Sequence, residues 1–158
     1  MEIVRDRTIP AECDPRIRAM HTYWDGKRGR APLPGRPDID PLELRPYLPR
    51  LMLLDVESER AYRYRLVGTE IVDELGFEPT GRTVCGCYPP GQVEELLANF
   101  ALVARKAAPL FDDRPWPCRR WAPWRDETLY LPLGADAAVD DLLGLVLQPG
   151  LRRLRNVG

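Results

Sequence analysis

The 158-residue chain holds one histidine, His21, and four cysteines, and its only serine is Ser58. With His21 and Ser58 alone of their types, and Ser58 beside an expected turn, a Ser-His-Asp nucleophile site has no support. Cys13, Cys85, Cys87 and Cys118 are too few and too irregularly spaced to make a disulfide framework in a chain of this length. An excess of one charge is also missing. Lys plus Arg number 23 and Asp plus Glu 24, for a net charge of −1, whereas nucleic-acid binders carry a basic excess or stripe. The longest apolar runs, Leu51–Leu54 and Leu142–Leu147 with Gly144 inside, are far too short to cross a bilayer. The opening MEIVRDRTIP is charged from its second residue and lacks the apolar core of a secretory signal, so a soluble, cytoplasmic protein is expected. GKRGR lacks the Gly-x4-Gly-Lys-Ser/Thr spacing of a phosphate loop.

Proline is abundant, at 17 residues, and its clusters at 32–49 and 109–123 mark the irregular stretches. Asp14 can cap a helix that starts on Pro15, and Ile17, Met20, His21 and Trp24 then recur at i, i+3, i+4 and i+7. His21 therefore reads as a packed residue on an apolar stripe rather than a ligand or base. Lys27, Arg28 and Arg30 fall in a Gly-rich loop, and Arg152, Arg153 and Arg155 in the tail, as solvated charge. Asp40-Pro41 looks like a second helix start, with Asp40 and Glu43 at the spacing of a capping box. That cap role, and the absence of a nearby His or metal cluster, argue against acid-base work by Asp38 and Asp40.

LMLLDVES at 51–58 and AYRYRLVG at 61–68 read as an antiparallel hairpin, with Tyr62, Tyr64 and Leu66 on one face and Arg63, Arg65 and Val67 on the other. Thr69 is the expected cap of a short helix at 70–75, which Gly76 stops. The best helix is at 92–107, where Val93, Leu96, Leu97, Phe100, Val103, Ala104 and Ala107 form a broad stripe. Three strands follow, at 109–113, 127–133 and 142–148, with Gly134-Ala-Asp136 turning the last pair. This order predicts an α+β domain: a five-stranded antiparallel sheet with helices packed on one face, preceded by an N-terminal helix. Residues 1–32 would form that helix and the basic loop, 33–150 the domain, and 151–158 a basic tail.

Three stretches carry a resemblance: LPGRPDIDPLELRPYLPRLMLLDVE at 33–57, YRYRLVGTEIVDELGFEPTGR at 62–82, and LYLPLGADAAVDDLLGLV at 129–146. With Trp24 and KRGR before them, they resemble PAS domains, and more specifically the small single-domain PAS-like proteins common in alphaproteobacteria. The chain departs from that pattern at 112–126, which is unusually rich in Trp, Pro and Arg. The resemblance implies a concave sheet covered by short helices and a long helix, enclosing a pocket that in different PAS domains holds haem, flavin, a small acid or only side chains. The expected lining is Tyr64, Leu66, Ile71, Leu75, Phe77, Leu97, Phe100, Leu131 and Leu145, with Arg65 as candidate polar anchor. No cofactor is specified: 92–107 contains no His for haem, and RTVCGCYPP does not match the flavin photoreceptor motif.

Cys85 and Cys87, as Cys-x-Cys in a Gly/Pro loop, could chelate a metal with Cys118 or His21, but zinc sites more often show two Cys-x2-4-Cys elements, so no metal is expected. Trp116, Trp121 and Trp124, interleaved with Arg, have the residue mix of a protein-facing hot spot more than of a base-stacking surface. The expected function is a stand-alone, non-enzymatic PAS-type regulatory module. It would bind a small molecule or a signalling partner such as a kinase, and act by conformational shift. The alternative is a ligand-free, homodimerising scaffold that uses the apolar face of the N-terminal helix.

Overall fold

The computed structural model describes residues 9–113 and 127–147. Helix α1 spans Pro15–Arg28, and the Asp14 carboxylate accepts from the Arg16 backbone N–H at its start. Its stripe of Ile17, Met20 and Trp24 is buried against the protein's own sheet. Two hydrogen bonds fix it there: Trp24 Nε1 donates to the Pro132 carbonyl at 2.8 Å, and Asp14 N–H donates to Glu127 Oε2 at 2.7 Å. The apolar face expected to serve dimerisation is thus used within the chain. A buried indole N–H with a partner 108 residues away makes α1 part of the core.

From Leu33 to Arg50 the chain crosses the same side of the sheet. No helix begins at Asp40-Pro41. Asp40 Oδ1 accepts from Leu42 N–H in a turn, while Glu43 pairs with Lys27 Nζ at 2.9 Å and so does not complete a capping box. Pro46 and Pro49 supply no N–H, and the segment instead forms a 3-10 turn at Arg45–Arg50.

Strands β1 (Leu51–Val56), β2 (Tyr62–Val67), β3 (Leu110–Asp112), β4 (Glu127–Ala135) and β5 (Ala138–Leu147) form one antiparallel sheet in the order β2-β1-β5-β4-β3. Helices α2 (Thr69–Leu75), α3 (Val84–Cys87) and α4 (Pro90–Lys106) all lie in the crossover from β2 to β3. The α+β plan, the five-stranded antiparallel sheet and the preceding helix are as expected. The sheet is, however, buried on both sides. Met52, Leu54, Tyr62, Tyr64, Tyr130, Leu142 and Val146 face α2–α4, and Leu51, Leu129, Leu131, Leu133, Leu143, Leu145 and Leu147 face α1. Two-sided burial explains why β4 and β5 read as nearly continuous apolar runs rather than as alternation.

Local chemistry sets the helix ends. Gly68, not Thr69, occupies the N-cap of α2, and Gly76 ends it in the left-handed region at φ 80°. Between Gly76 and the long helix lies the single turn α3, where Thr83 Oγ1 accepts from Gly86 N–H. Helix α4 starts with Pro90 in its first turn and buries Val93, Leu96, Leu97, Phe100 and Val103. Its Asn99 amide donates to Asp112 Oδ2 at 2.8 Å, tying the helix to β3. The β4–β5 turn falls on Asp136-Ala137, both at positive φ (54° and 75°), with Gly134 still inside the strand.

Candidate functional site

The side of the sheet under α4 is built on aromatic contacts. Phe100, fully buried at the middle of α4, meets Tyr62 at 5.2 Å between ring centroids and Tyr130 edge-on at 5.4 Å. Tyr64 OH and Tyr88 OH share a buried hydrogen bond of 2.7 Å, and Tyr88 also meets Phe77 edge-on. The Arg82 guanidinium covers the Phe77 ring at 5.7 Å.

Beside this packed region a cleft of about 420 Å³ opens between the β1–β2 turn and α4. Its floor is Val56, Tyr62, Leu97, Ala98, Ala101 and Ala104, and its rim carries Ser58, Glu59, Arg60, Glu94 and Arg105. Arg60 from the turn and Glu94 from α4 form an exposed ion pair at 3.1 Å across one end. That volume lies inside the roughly 300–1,000 Å³ typical of small-molecule sites.

A two-sided sheet of this order, with the long helix across one face, is the frame on which a family model described as a PAS domain matches residues 13–147. The chain belongs to the PAS domain family. The solved PAS domain of Bordetella pertussis BvgS is similar in fold, with a TM-score of 0.54 at 18% identity, covering 75% of this chain and 97% of that one. No curated protein matches. PAS domains are generally sensory or signalling modules, and this one joins that class by family.

Six of the expected pocket residues, Tyr64, Ile71, Leu75, Phe77, Leu97 and Phe100, gather on the α4 side of this PAS sheet. Three others do not. Leu131 and Leu145 face α1, because β4 and β5 place Tyr130 and Val146, not their leucine neighbours, under α4. Leu66 is displaced by a β-bulge: Leu53 pairs with Leu66 but Leu54 pairs with Tyr64, leaving Arg65 as the extra residue. Beyond the bulge the alternation inverts. Leu66 is 45% exposed, and Val67 packs toward the helices in its place. Arg65 does not reach the α4 side either. Its guanidinium pairs with Asp55 at 2.8 Å on the opposite face. Trp116, Trp121 and Trp124 lie outside the described residues. Sequence reasoning missed the cleft residues Arg60, Glu94 and Arg105. A trace of the cleft is present in Ala98, Ala101 and Arg105, which recur at helical spacing beside the buried stripe.

Cys85 is exposed, with its thiol 3.9 Å from the Arg60 carbonyl oxygen. Burial pushes the Cys87 thiol up, opposed by Arg82, and burial likewise raises the thiol of Cys13. Raised thiols are poor nucleophiles and poor ligands. Cys118 lies outside the described residues, and among those described no group of three His, Cys, Asp or Glu could hold a metal. Among them, too, no helix is long and apolar enough to cross a membrane.

On the α1 side, Asp55 and Asp141 are direct cross-strand partners. Arg36 lies 3.7 and 3.8 Å from their carboxylates. Burial, then the hydrogen bond with Asp55, pushes Asp141 up to about 6, with Arg36 opposing and the charges of Asp55 and Asp140 adding. Burial acts upward on Asp55 too, but Arg65, the bond to Asp141 and Arg36 together hold it below its ordinary value. The pair thus shares a proton in mildly acidic solution. For Asp141 the folded value is the higher one, so its stabilising contribution is complete below the unfolded value and is lost as pH rises through about 6. Asp141→Asn keeps the uncharged form at every pH. It is therefore expected to be more stable than the parent by about 1–3 kcal/mol at pH 7.5, and nearly equal to it at pH 4. Urea midpoints of both proteins from pH 4 to 8 check this, and a pH-independent difference would refute it.

Proposed function

We propose that this PAS domain is a regulatory module that takes a small molecule in the cleft between the β1–β2 turn and α4 and acts without catalysis. The cleft carries the reading: its floor is apolar, its rim has four charged groups, and its two walls belong to separate elements, the β1–β2 turn and α4. A ligand that prefers one spacing of the turn and α4 biases the position of α2–α4 against the sheet, and a signalling-protein partner reads the result. The Trp116, Trp121 and Trp124 segment is the proposed partner surface, by composition.

A second reading is favoured by the ring contacts of Phe100 with Tyr62 and Tyr130, which fill the centre of the α4 side with protein. In that reading the domain is a ligand-free scaffold acting through partner binding or self-association. Native mass spectrometry of freshly purified protein, beside the same sample denatured, separates the two. A mass retained in the native spectrum and lost on denaturation supports the sensor. A bare dimer whose cleft amides do not respond to added metabolite mixtures supports the scaffold.

A further inference from the structure

The charges around the cleft are not evenly spread. Arg60 and Glu94 neutralise each other across the end nearest the β1–β2 turn, and Glu59 stands at the same end with no ion pair among the described residues. Arg105 lies eleven residues along α4 from Glu94, about 16 Å at the rise of an α-helix. It, too, has no ion pair among the described residues, and it lines the cleft. Between the two ends the floor is aliphatic and aromatic: Val56, Tyr62, Leu97 and Ala101. The cleft is therefore polarised, with a guanidinium at one end and a carboxylate at the other, each unpaired among the described residues, and apolar surface between. A guanidinium recognises a carboxylate through two parallel N–H donors. A second anionic group at the far end would meet Glu59, where the cation at hand, Arg60, is already paired with Glu94.

We infer that the cleft selects a monocarboxylate with an apolar body, its carboxylate on Arg105 and its apolar part over Leu97 and Ala101, and that it discriminates against dicarboxylates through Glu59. This rests on the reading of the cleft as the ligand site and adds the class and orientation of the ligand. The Arg60–Glu94 pair sits across the apolar end of the bound molecule, so occupancy there bears on the contact between the β1–β2 turn and α4.

The test is a titration of the full chain, followed by amide chemical shifts, with octanoate, octanol and octanedioate as probes. Arg105→Gln and Glu59→Gln are tested beside the parent. Both residues are exposed, glutamine suits the helix at 105 and leaves the turn at 59 sterically unchanged, and thermal melts check that the variants remain folded. Octanoate is expected to shift amides at 56–62 and 97–105 and to bind about tenfold more tightly than octanol or octanedioate, the scale of one charge-assisted contact at an open site. Arg105→Gln should bring octanoate down to the level of octanol, and Glu59→Gln should raise octanedioate toward octanoate. If octanol binds as well as octanoate, or Arg105→Gln changes nothing, the carboxylate assignment fails while the cleft remains a ligand site. If octanedioate equals octanoate in the parent, discrimination by Glu59 fails. If none of the three shifts those amides, the inference and the ligand-site reading fail together.

Discussion

Phe100→Ala is expected to lower stability by about 3–5 kcal/mol, the range for deleting a fully buried aromatic side chain. Phe100 has no exposed surface and joins Tyr62 of β2 to Tyr130 of β4, strands separated by β1 and β5 in the sheet order. Its removal loses the burial of the ring, opens a cavity the neighbours cannot fully close, and breaks two aromatic contacts of about 0.5–1.5 kcal/mol each. Phe100→Leu should cost much less, because it keeps most of the apolar volume. For a domain of this length each kcal/mol moves the melting point by about 2–4 °C, so the melting point of Phe100→Ala should fall by roughly 6–20 °C. Denaturant midpoints for both variants provide the check. A cost near that of an exposed substitution would mean that α4 is not seated on the sheet by these rings, and the population-shift mechanism would lose its fulcrum.

The same packing bears on what a PAS module of this sequence can do. Phe100, Tyr62 and Tyr130 occupy the centre with packed rings, and the described cleft opens at the side of α4. Under the proposed sensor reading, binding there would act on α4 laterally, through the turn that carries Arg60. The shift expected on occupancy is accordingly one of α4 relative to the β1–β2 turn, with Phe100 as the fixed point.

Most of the element order was legible because those elements carry strong local signals: Asp14-Pro15 at α1, the two runs of the β1–β2 hairpin, Gly76 after α2, and the stripe of α4; the single turn α3 carries none. The direction in which side chains point was legible only where one face alone is buried. YRYRLV alternates cleanly, and nothing in it announces that Arg65 is the extra residue of a bulge that turns Leu66 outward. In LYLPL every position is buried, so periodicity cannot say that Tyr130 faces α4 while Leu129 and Leu131 face α1. Charged residues were the least legible. Arg50 is 95% buried by its 5% exposure and pairs with Glu70 and Glu74 of α2, an i, i+4 pair whose only hint was that both carboxylates fall on one helical face. The Asp55–Asp141 pair follows from strand register alone, a long-range quantity that no local pattern encodes.

Gly68→Ala tests the junction on which α2 depends, and its expected cost is about 3 kcal/mol or more, at or above the usual range for overpacking. The position does not need glycine for its dihedrals, since φ −63° and ψ 150° suit any residue. It needs glycine for space. A Cβ there would lie 2.3 Å from the Pro49 carbonyl oxygen and 2.4 Å from that of Leu48. Both are backbone atoms of a proline-stiffened 3-10 turn and cannot swing aside as a side chain would. Gly68 N–H also donates to the Leu51 carbonyl at 2.7 Å, so retreat from the clash breaks a hydrogen bond at the start of β1. Relief therefore has to come from moving α2 away from the turn. That movement pulls Glu70 and Glu74 from Arg50, whose Nη2 has no hydrogen-bond partner among the described residues. A buried guanidinium deprived of its carboxylates adds to the cost. The variant should show a lower urea midpoint and faster proteolysis within 69–76, with α4 amides little changed. If α2 stays protected and the midpoint is unmoved, the turn can yield, and the close approach at Gly68 does not govern where α2 sits.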